Sequence, residues 1–270
     1  MNNSQLDYST AKDKKRSFWD KLFRPLNLFF YIKSIGIIVK ASKYSNKENF
    51  YPEFINHCGK IINTIEETGN TVEVSGLGNA PEDGPCVYIG NHMSTLETVT
   101  LGKILEDKGK VCFVVKESLT KYPYFNKILS ALGCIAVTRT NPIQDLKKIL
   151  KEGPKLIEQG ISVIVFPQHT RGAFDPADFS SIGCKLAKRA KVPVVPLALD
   201  TRFWGKGKMV SDLGPISRDI PVRFAFGEPM SIEKNEKEVH QKYLEFIGDK
   251  LESWGAYSPK EKTSSENDAQ

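Results

Sequence analysis

The chain has 270 residues, 40% of them hydrophobic and 26% charged, which suits one large α/β domain with peripheral additions and enough apolar residues for a sizeable core. Its net charge of +6 is confined to residues 1–48, which hold ten Lys/Arg and four Asp/Glu, while the remainder carries 28 of each. A body without excess charge argues against a nucleic-acid-binding protein.

Residues 1–17 are polar and are expected to be disordered. Residues 18–48 begin with Phe18-Trp19-Asp20-Lys21-Leu22-Phe23 and continue to Ile37-Ile38-Val39-Lys40. The fifteen residues between Arg24 and Lys40 are interrupted by Asn27 and Lys33. A spanning helix needs about 20 apolar residues, so this segment is too short and too polar to cross a bilayer. Aromatic rings interleaved with lysines suit an amphipathic segment lying in the membrane interface. The plainer alternative is a core helix that covers one face of a sheet. The interfacial reading implies a monotopic or peripheral protein at the cytoplasmic face of a membrane. No cleavable signal peptide is expected at this polar N-terminus. The cysteines (Cys58, Cys86, Cys112, Cys134, Cys184) are odd in number and fit no zinc spacing, which points to reduced, mostly buried thiols and a cytosolic compartment.

The globular body is expected over 49–257. An apolar periodicity predicts a helix from Phe50 to Glu67, and Gly69-Asn70 ends it. Strands are predicted at 71–74, 86–89, 111–115, 135–138, 162–166, 194–198 and 222–226. Helices are predicted at 95–107, 122–131, 142–158, 179–190 and 235–254. This alternation argues for an α/β fold with a largely parallel central sheet flanked by helices. The tail from 258 to 270 is polar and is expected to be disordered.

Where the strand at 86–89 ends, the sequence reads Gly90-Asn91-His92-Met93-Ser94-Thr95-Leu96-Glu97. An imidazole and a carboxylate here lie where α/β sheets bind ligands. A carboxylate beside a histidine fixes its tautomer and raises its basicity, as a general base requires. Five positions apart on one helix the two side chains diverge, so His92 must lie in the turn and Glu97 on the helix. The bland reading is a histidine that only caps the helix. Ser94 and Thr95 read as helix-cap residues, because no Gly-x-Ser-x-Gly elbow surrounds them. The four histidines show no metal-ligand spacing.

Three further polar clusters follow strands. Lys116 follows 111–115, Arg139 follows 135–138, and Phe166-Pro167-Gln168-His169-Thr170-Arg171 follows 161–165. In a parallel sheet these ends share one edge, so Lys116, Arg139 and Arg171 are placed to converge near His92. Three cations would hold a phosphate monoester, the arginines as planar bidentate donors. Any one of them alone reads as a solvated surface cation.

These motifs resemble those of the glycerolipid acyltransferases, the family of 1-acylglycerol-3-phosphate and related lysophospholipid acyltransferases. The likeness runs from about Val72 to Pro229. His92 to Glu97 resembles the family's His-x4-Asp block, and Gly133 to Arg139 its second block. Phe166 to Arg171 resembles Phe-Pro-Glu-Gly-Thr-Arg, and Val192 to Pro196 the Val-Pro block. The resemblance implies that 49–257 is an acyltransferase domain with His92 and Glu97 catalytic. It implies that Lys116, Arg139, Gln168, His169, Thr170 and Arg171 bind substrate. The acyl donor would be acyl-CoA or acyl carrier protein, with no cofactor and no metal, and the partners would be membrane lipids. Lysophosphatidic acid is the first-choice acceptor. Two departures bear on the acceptor: Glu97 replaces the usual aspartate, and Gln168-His169 replaces Glu-Gly. Gln168 removes a negative charge, and His169 adds bulk where glycine allows close approach. The rival readings are a thioesterase or lipid hydrolase and a non-catalytic lipid-binding membrane protein.

Overall fold

Val87, Tyr88 and Ile89 show how the sheet divides the molecule: Val87 and Ile89 enter one core, and Tyr88, pointing the other way, enters a second. All three are at most 1% exposed, as expected of a strand covered by helices on both sides. The computed structural model describes residues 6–24, 27–168, 170–207, 212–232 and 235–258. Its strands are β1 (Leu6–Ser9), β2 (Val72–Ser75), β3 (Val87–Gly90), β4 (Lys110–Lys116), β5 (Ile135–Val137), β6 (Ile161–Val165), β7 (Val194–Asp200) and β8 (Val222–Phe226). Its helices are α1 (Phe18–Leu22), α2 (Leu28–Tyr44), α3 (Tyr51–Glu67), α4 (Leu96–Ile104), α5 (Phe125–Ala131), α6 (Pro142–Glu158), α7 (Ile182–Ala190) and α8 (Glu236–Ser253).

The sheet order is β1-β2-β8-β7-β3-β6-β4-β5. The run β7-β3-β6-β4-β5 is parallel throughout. β8 is antiparallel to β7, and β2 pairs parallel with β8. One core is closed by residues of α2, α3, α4 and α5, and the other by α6, α7 and α8. The carboxyl ends of β3, β4, β5 and β6 therefore share one edge, which is what places the polar clusters together.

The polar N-terminus departs from its expected disorder. Residues 6–9 form β1, an edge strand paired with β2. Tyr8 and Thr10 donate to Glu66 Oε1 at 2.6 and 2.9 Å, and Lys14 Nζ lies 3.1 Å from Glu66 Oε2. Glu66 is 4% exposed, so these polar side chains satisfy a buried carboxylate. Composition registers the lack of apolar residues there but not this polar anchorage. Residues 1–5 and 259–270, expected to be disordered, lie outside the described residues.

The segment 18–48 forms two helices rather than one, α1 and α2, with Asn27 at φ 52° before the second. Asp20 is fully buried and bonds Arg16 Nε and Arg218 Nη2, each at 2.7 Å. This pins the polar side of α1 to the body and leaves Phe18, Trp19 and Leu22 more than half exposed. Among the described residues, no helix is long and apolar enough to cross a membrane.

Candidate active site

His92 lies in the turn after β3, and Glu97 lies in the first turn of α4. The turn is held from both sides. Asn91, fully buried, donates from Nδ2 to the Leu199 carbonyl and accepts from the Leu199 amide, both at 2.8 Å. The His92 amide donates to Gln168 Oε1 at 2.6 Å, and the Gly172 amide donates to the His92 carbonyl at 2.9 Å. The His92 ring stacks on Phe166 with centroids 4.6 Å apart and planes 7° apart. Its χ angles are thus restrained by packing and its backbone by hydrogen bonds.

Glu97 is fully buried and its carboxylate is saturated with donors. Oε1 accepts from the Met93 amide (3.0 Å), the Ser94 amide (2.9 Å) and the Thr201 hydroxyl (2.5 Å). Oε2 stands 3.4 Å from His92 Nδ1, longer than an ordinary hydrogen bond. Burial pushes the Glu97 pKa up, but His92, the Thr201 hydroxyl and the Ser94 amide outweigh it, so the net shift is downward. The group remains a carboxylate at neutral pH, facing Nδ1. The extra methylene of glutamate lets one side chain cap α4 and face the imidazole.

Lys116, Arg139, Thr170 and Arg171 line one cavity with His92, its volume about 360 Å³. Arg139 has φ 62°, an unusual conformation for a non-glycine residue. The buried Asp145 holds that turn, its carboxylate accepting from the amides of Thr138 (2.8 Å) and Arg139 (2.7 Å). Burial, then the neighbouring Arg171 charge, lowers the Arg139 pKa, with Asp145 opposing. Arginine stays protonated despite such a shift. Arg171 Nη1 donates to the Thr95 hydroxyl and pairs with Asp212, and the Thr95 hydroxyl donates to Asp212 Oδ1 at 2.5 Å. Beyond the cations the cavity becomes apolar, walled by residues such as Ile37, Phe54, Ile61, Phe113 and Leu129.

The expected cap residues behave differently from each other. Ser94 Oγ accepts from the Leu96 amide at 3.0 Å, whereas the Thr95 side chain makes no cap bond and joins Arg171 and Asp212 instead. Gln168, expected as a substrate ligand, forms a buried bridge and is not among the residues lining the cavity. It is 3% exposed, accepting from His92 and donating from Nε2 to the Ala173 carbonyl at 3.2 Å. Each end of its amide is bonded to the backbone. His169 lies outside the described residues. Sequence reading missed Thr201, Asp145 and Asp212. Asp145 had a signal, an acid in the first turn of a helix opened by Asn141-Pro142. Thr201, just past an apolar strand, had a weak one, and Asp212 had none.

The site is a histidine–carboxylate pair at a parallel-sheet edge of an α/β fold, opening on a cationic and then apolar cavity. Residues 71–200 match the family model described as Acyltransferase. Over 163 residues the chain is 36% identical to the 1-acyl-sn-glycerol-3-phosphate acyltransferase of Pseudomonas aeruginosa, covering 59% of this chain and 62% of that one. Over 142 residues it is 32% identical to the chloroplastic 1-acyl-sn-glycerol-3-phosphate acyltransferase BAT2 of Brassica napus, covering 51% and 38%. The matches thus span less than two thirds of these relatives' own lengths. The fold is similar to the crystal structure of the 1-acyl-sn-glycerophosphate (LPA) acyltransferase PlsC from Thermotoga maritima. The TM-score is 0.67 at 21% identity, over 89% of this chain and 99% of that one. At that identity the likeness speaks for the α/β fold alone.

Proposed function

We propose that this chain is an O-acyltransferase that moves a fatty acyl group from a thioester to the free hydroxyl of a lysophospholipid. The favoured acceptor is 1-acylglycerol-3-phosphate, which would yield phosphatidic acid in phospholipid biosynthesis. The observation that carries this reading is that His92, Lys116, Arg139 and Arg171 line the same cavity, whose deeper wall is apolar. An acceptor with a phosphate at one end of glycerol and a hydrocarbon chain at the other has that same division of polarity.

In this reading the Glu97 carboxylate keeps the His92 proton on Nδ1, so Nε2 accepts the proton of the acceptor hydroxyl. The oxygen attacks the thioester carbonyl, the C–S bond breaks as the tetrahedral adduct collapses, and the thiolate takes the proton from Nε2. Lys116, Arg139 and Arg171 grip the phosphate and so position the hydroxyl. The donor is acyl-CoA or acyl carrier protein. The chain is further proposed to work at the cytoplasmic face of a membrane, as a monotopic or peripheral protein. The exposed Phe18, Trp19, Leu22, Ile32 and Ile35 support an interfacial seat for α1 and α2. The deciding experiment offers the purified protein a panel of lysolipids with labelled acyl-CoA and acyl carrier protein. Transfer to lysophosphatidic acid that vanishes in His92→Ala is expected. Release of free fatty acid without any acceptor would favour a thioesterase instead.

A further inference from the structure

His57 is the unexpected group in the deep part of the cavity. It sits on α3, is 5% exposed, and lines the cavity together with Phe54, Cys58 and Ile61 of the same helix. Its Nδ1 lies 2.6 Å from the carbonyl oxygen of Glu53, one turn earlier. A carbonyl only accepts, so Nδ1 carries the hydrogen, and in the neutral form of the ring the lone pair is on Nε2. Among the described residues no hydrogen bond to Nε2 is found, and the ring lies 6.0 Å from that of Tyr44 between centroids.

The position along the cavity follows from the topology. α3 starts at the sheet edge opposite His92, because the Tyr51 hydroxyl accepts from the amide of Val111 near the beginning of β4. His92 follows the end of the parallel strand β3. His57 is less than two turns into α3, so it lies toward the end of the cavity far from the reacting thioester.

We propose that His57 makes this cavity selective for acyl chains that carry a hydroxyl well down the chain. The inference rests on the acyltransferase reading and adds the class of acyl group. A plain hydrocarbon chain drawn past His57 excludes water and leaves the Nε2 lone pair buried and unsatisfied. A hydroxyl at the right depth donates to Nε2 and removes that cost. A hydroxyl on the β-carbon is too close to the thioester to reach it.

The test is competition between two acyl thioesters of equal length, one plain and one hydroxylated, in a single reaction. A series walks the hydroxyl along the chain. The wild-type ratio of kcat/KM is expected to peak at one position far from the thioester, favouring the hydroxylated chain by about tenfold. His57→Leu is expected to erase the peak and turn the ratio toward the plain chain. A flat wild-type profile overturns the proposal, as does a peak that survives in His57→Leu. Binding of hydroxylated and plain free fatty acids, read by tryptophan fluorescence, gives the same comparison without turnover. If transfer fails with every chain yet binding still shows the His57-dependent preference, the acyltransferase reading falls and the hydroxyl site stands. Equal binding of the two acids by wild-type protein would mean that His57 selects nothing.

Discussion

Gln168 fixes His92 through the backbone rather than through its ring, its Oε1 accepting from the His92 amide while its Nε2 donates to the Ala173 carbonyl. A glutamate there would accept from His92 equally well but would set a carboxylate oxygen against the Ala173 carbonyl in a buried place. We therefore expect Gln168→Glu to destabilise the fold by about 1–3 kcal/mol and to lower kcat more than it raises the acceptor KM. Thermal unfolding and steady-state kinetics check this. An unchanged melting temperature with only KM affected would return Gln168 to the role of a substrate ligand.

Glu97→Gln keeps an acceptor for the Met93 and Ser94 amides but offers His92 a neutral amide in place of a carboxylate. The ring then loses both its charge partner and the preference that keeps hydrogen on Nδ1. A fall in kcat of roughly 10²–10⁴ is expected, with little change in either KM. Thr201→Val leaves the His92 contact and removes one donor to Oε1, so its loss should be much smaller. Equal losses from the two variants would mean that Glu97 acts by shaping the turn.

The depressed Glu97 pKa has a stability counterpart. Its folded value lies below the ordinary 4.5, so the unfolded chain binds the proton more readily. The stabilisation is fully present above pH 4.5 and is lost as pH falls through the folded value. Glu66 is also depressed, against its own burial, by Tyr8, Lys14 and Thr10, and adds to the same acid limb. Unfolding free energies measured from pH 7 to pH 3 should fall more gently in Glu97→Gln than in wild type. Parallel curves would show that Glu97 binds its proton equally well in both states.

Much of this was legible from one-dimensional pattern. The continuous apolar runs of β3 and β6 follow from burial on two faces of a sheet, and the helical periodicity of α3 from burial on one side. Lys116, Arg139 and Arg171 each carry a sequence address because a parallel sheet brings its carboxyl ends together. Gln168 has the spacing of a ligand, and only coordinates reveal that its amide bridges the His92 amide and the Ala173 carbonyl. Thr201 was barely legible and Asp212 not at all, because each reaches the site from a distant loop, 104 and 117 residues beyond its partner. β1 was missed because a polar strand that pairs with an edge and feeds a buried glutamate has the composition of a disordered tail.

Arg171 and Asp212 set up an internal competition. The guanidinium proposed to hold the acceptor's phosphate is paired with a carboxylate that is 39% exposed. Asp212→Asn keeps the shape and removes the charge, and the Trp204 indole still holds the Asp212 carbonyl at 3.0 Å. A partly exposed pair is screened, so a decrease of only a few-fold in the acceptor KM is expected. Arg171→Ala should move the same constant the other way by about tenfold, as loss of a charge-assisted contact does. An increase in KM from Asp212→Asn would show that the carboxylate orients Arg171 instead of competing for it.

α2 presents its two sides to different surroundings. Ile32 and Ile35 are 68% and 49% exposed, while Ile37, Ile38 and Ala41 line the cavity. If the outer side rests in a bilayer, a lipid chain has only the thickness of one helix between the membrane and the cavity. A charge on the outer side should therefore impair capture of membrane-borne acceptor and spare the chemistry. Burying one large apolar side chain is worth about 1.5–3 kcal/mol, so Ile32→Asp is expected to weaken vesicle binding about tenfold or more. Sedimentation with anionic vesicles reads that step, and turnover of a short-chain, water-soluble acceptor reads the chemistry. Loss of both activities together would mean that the outer side of α2 supports the cavity wall rather than a membrane contact.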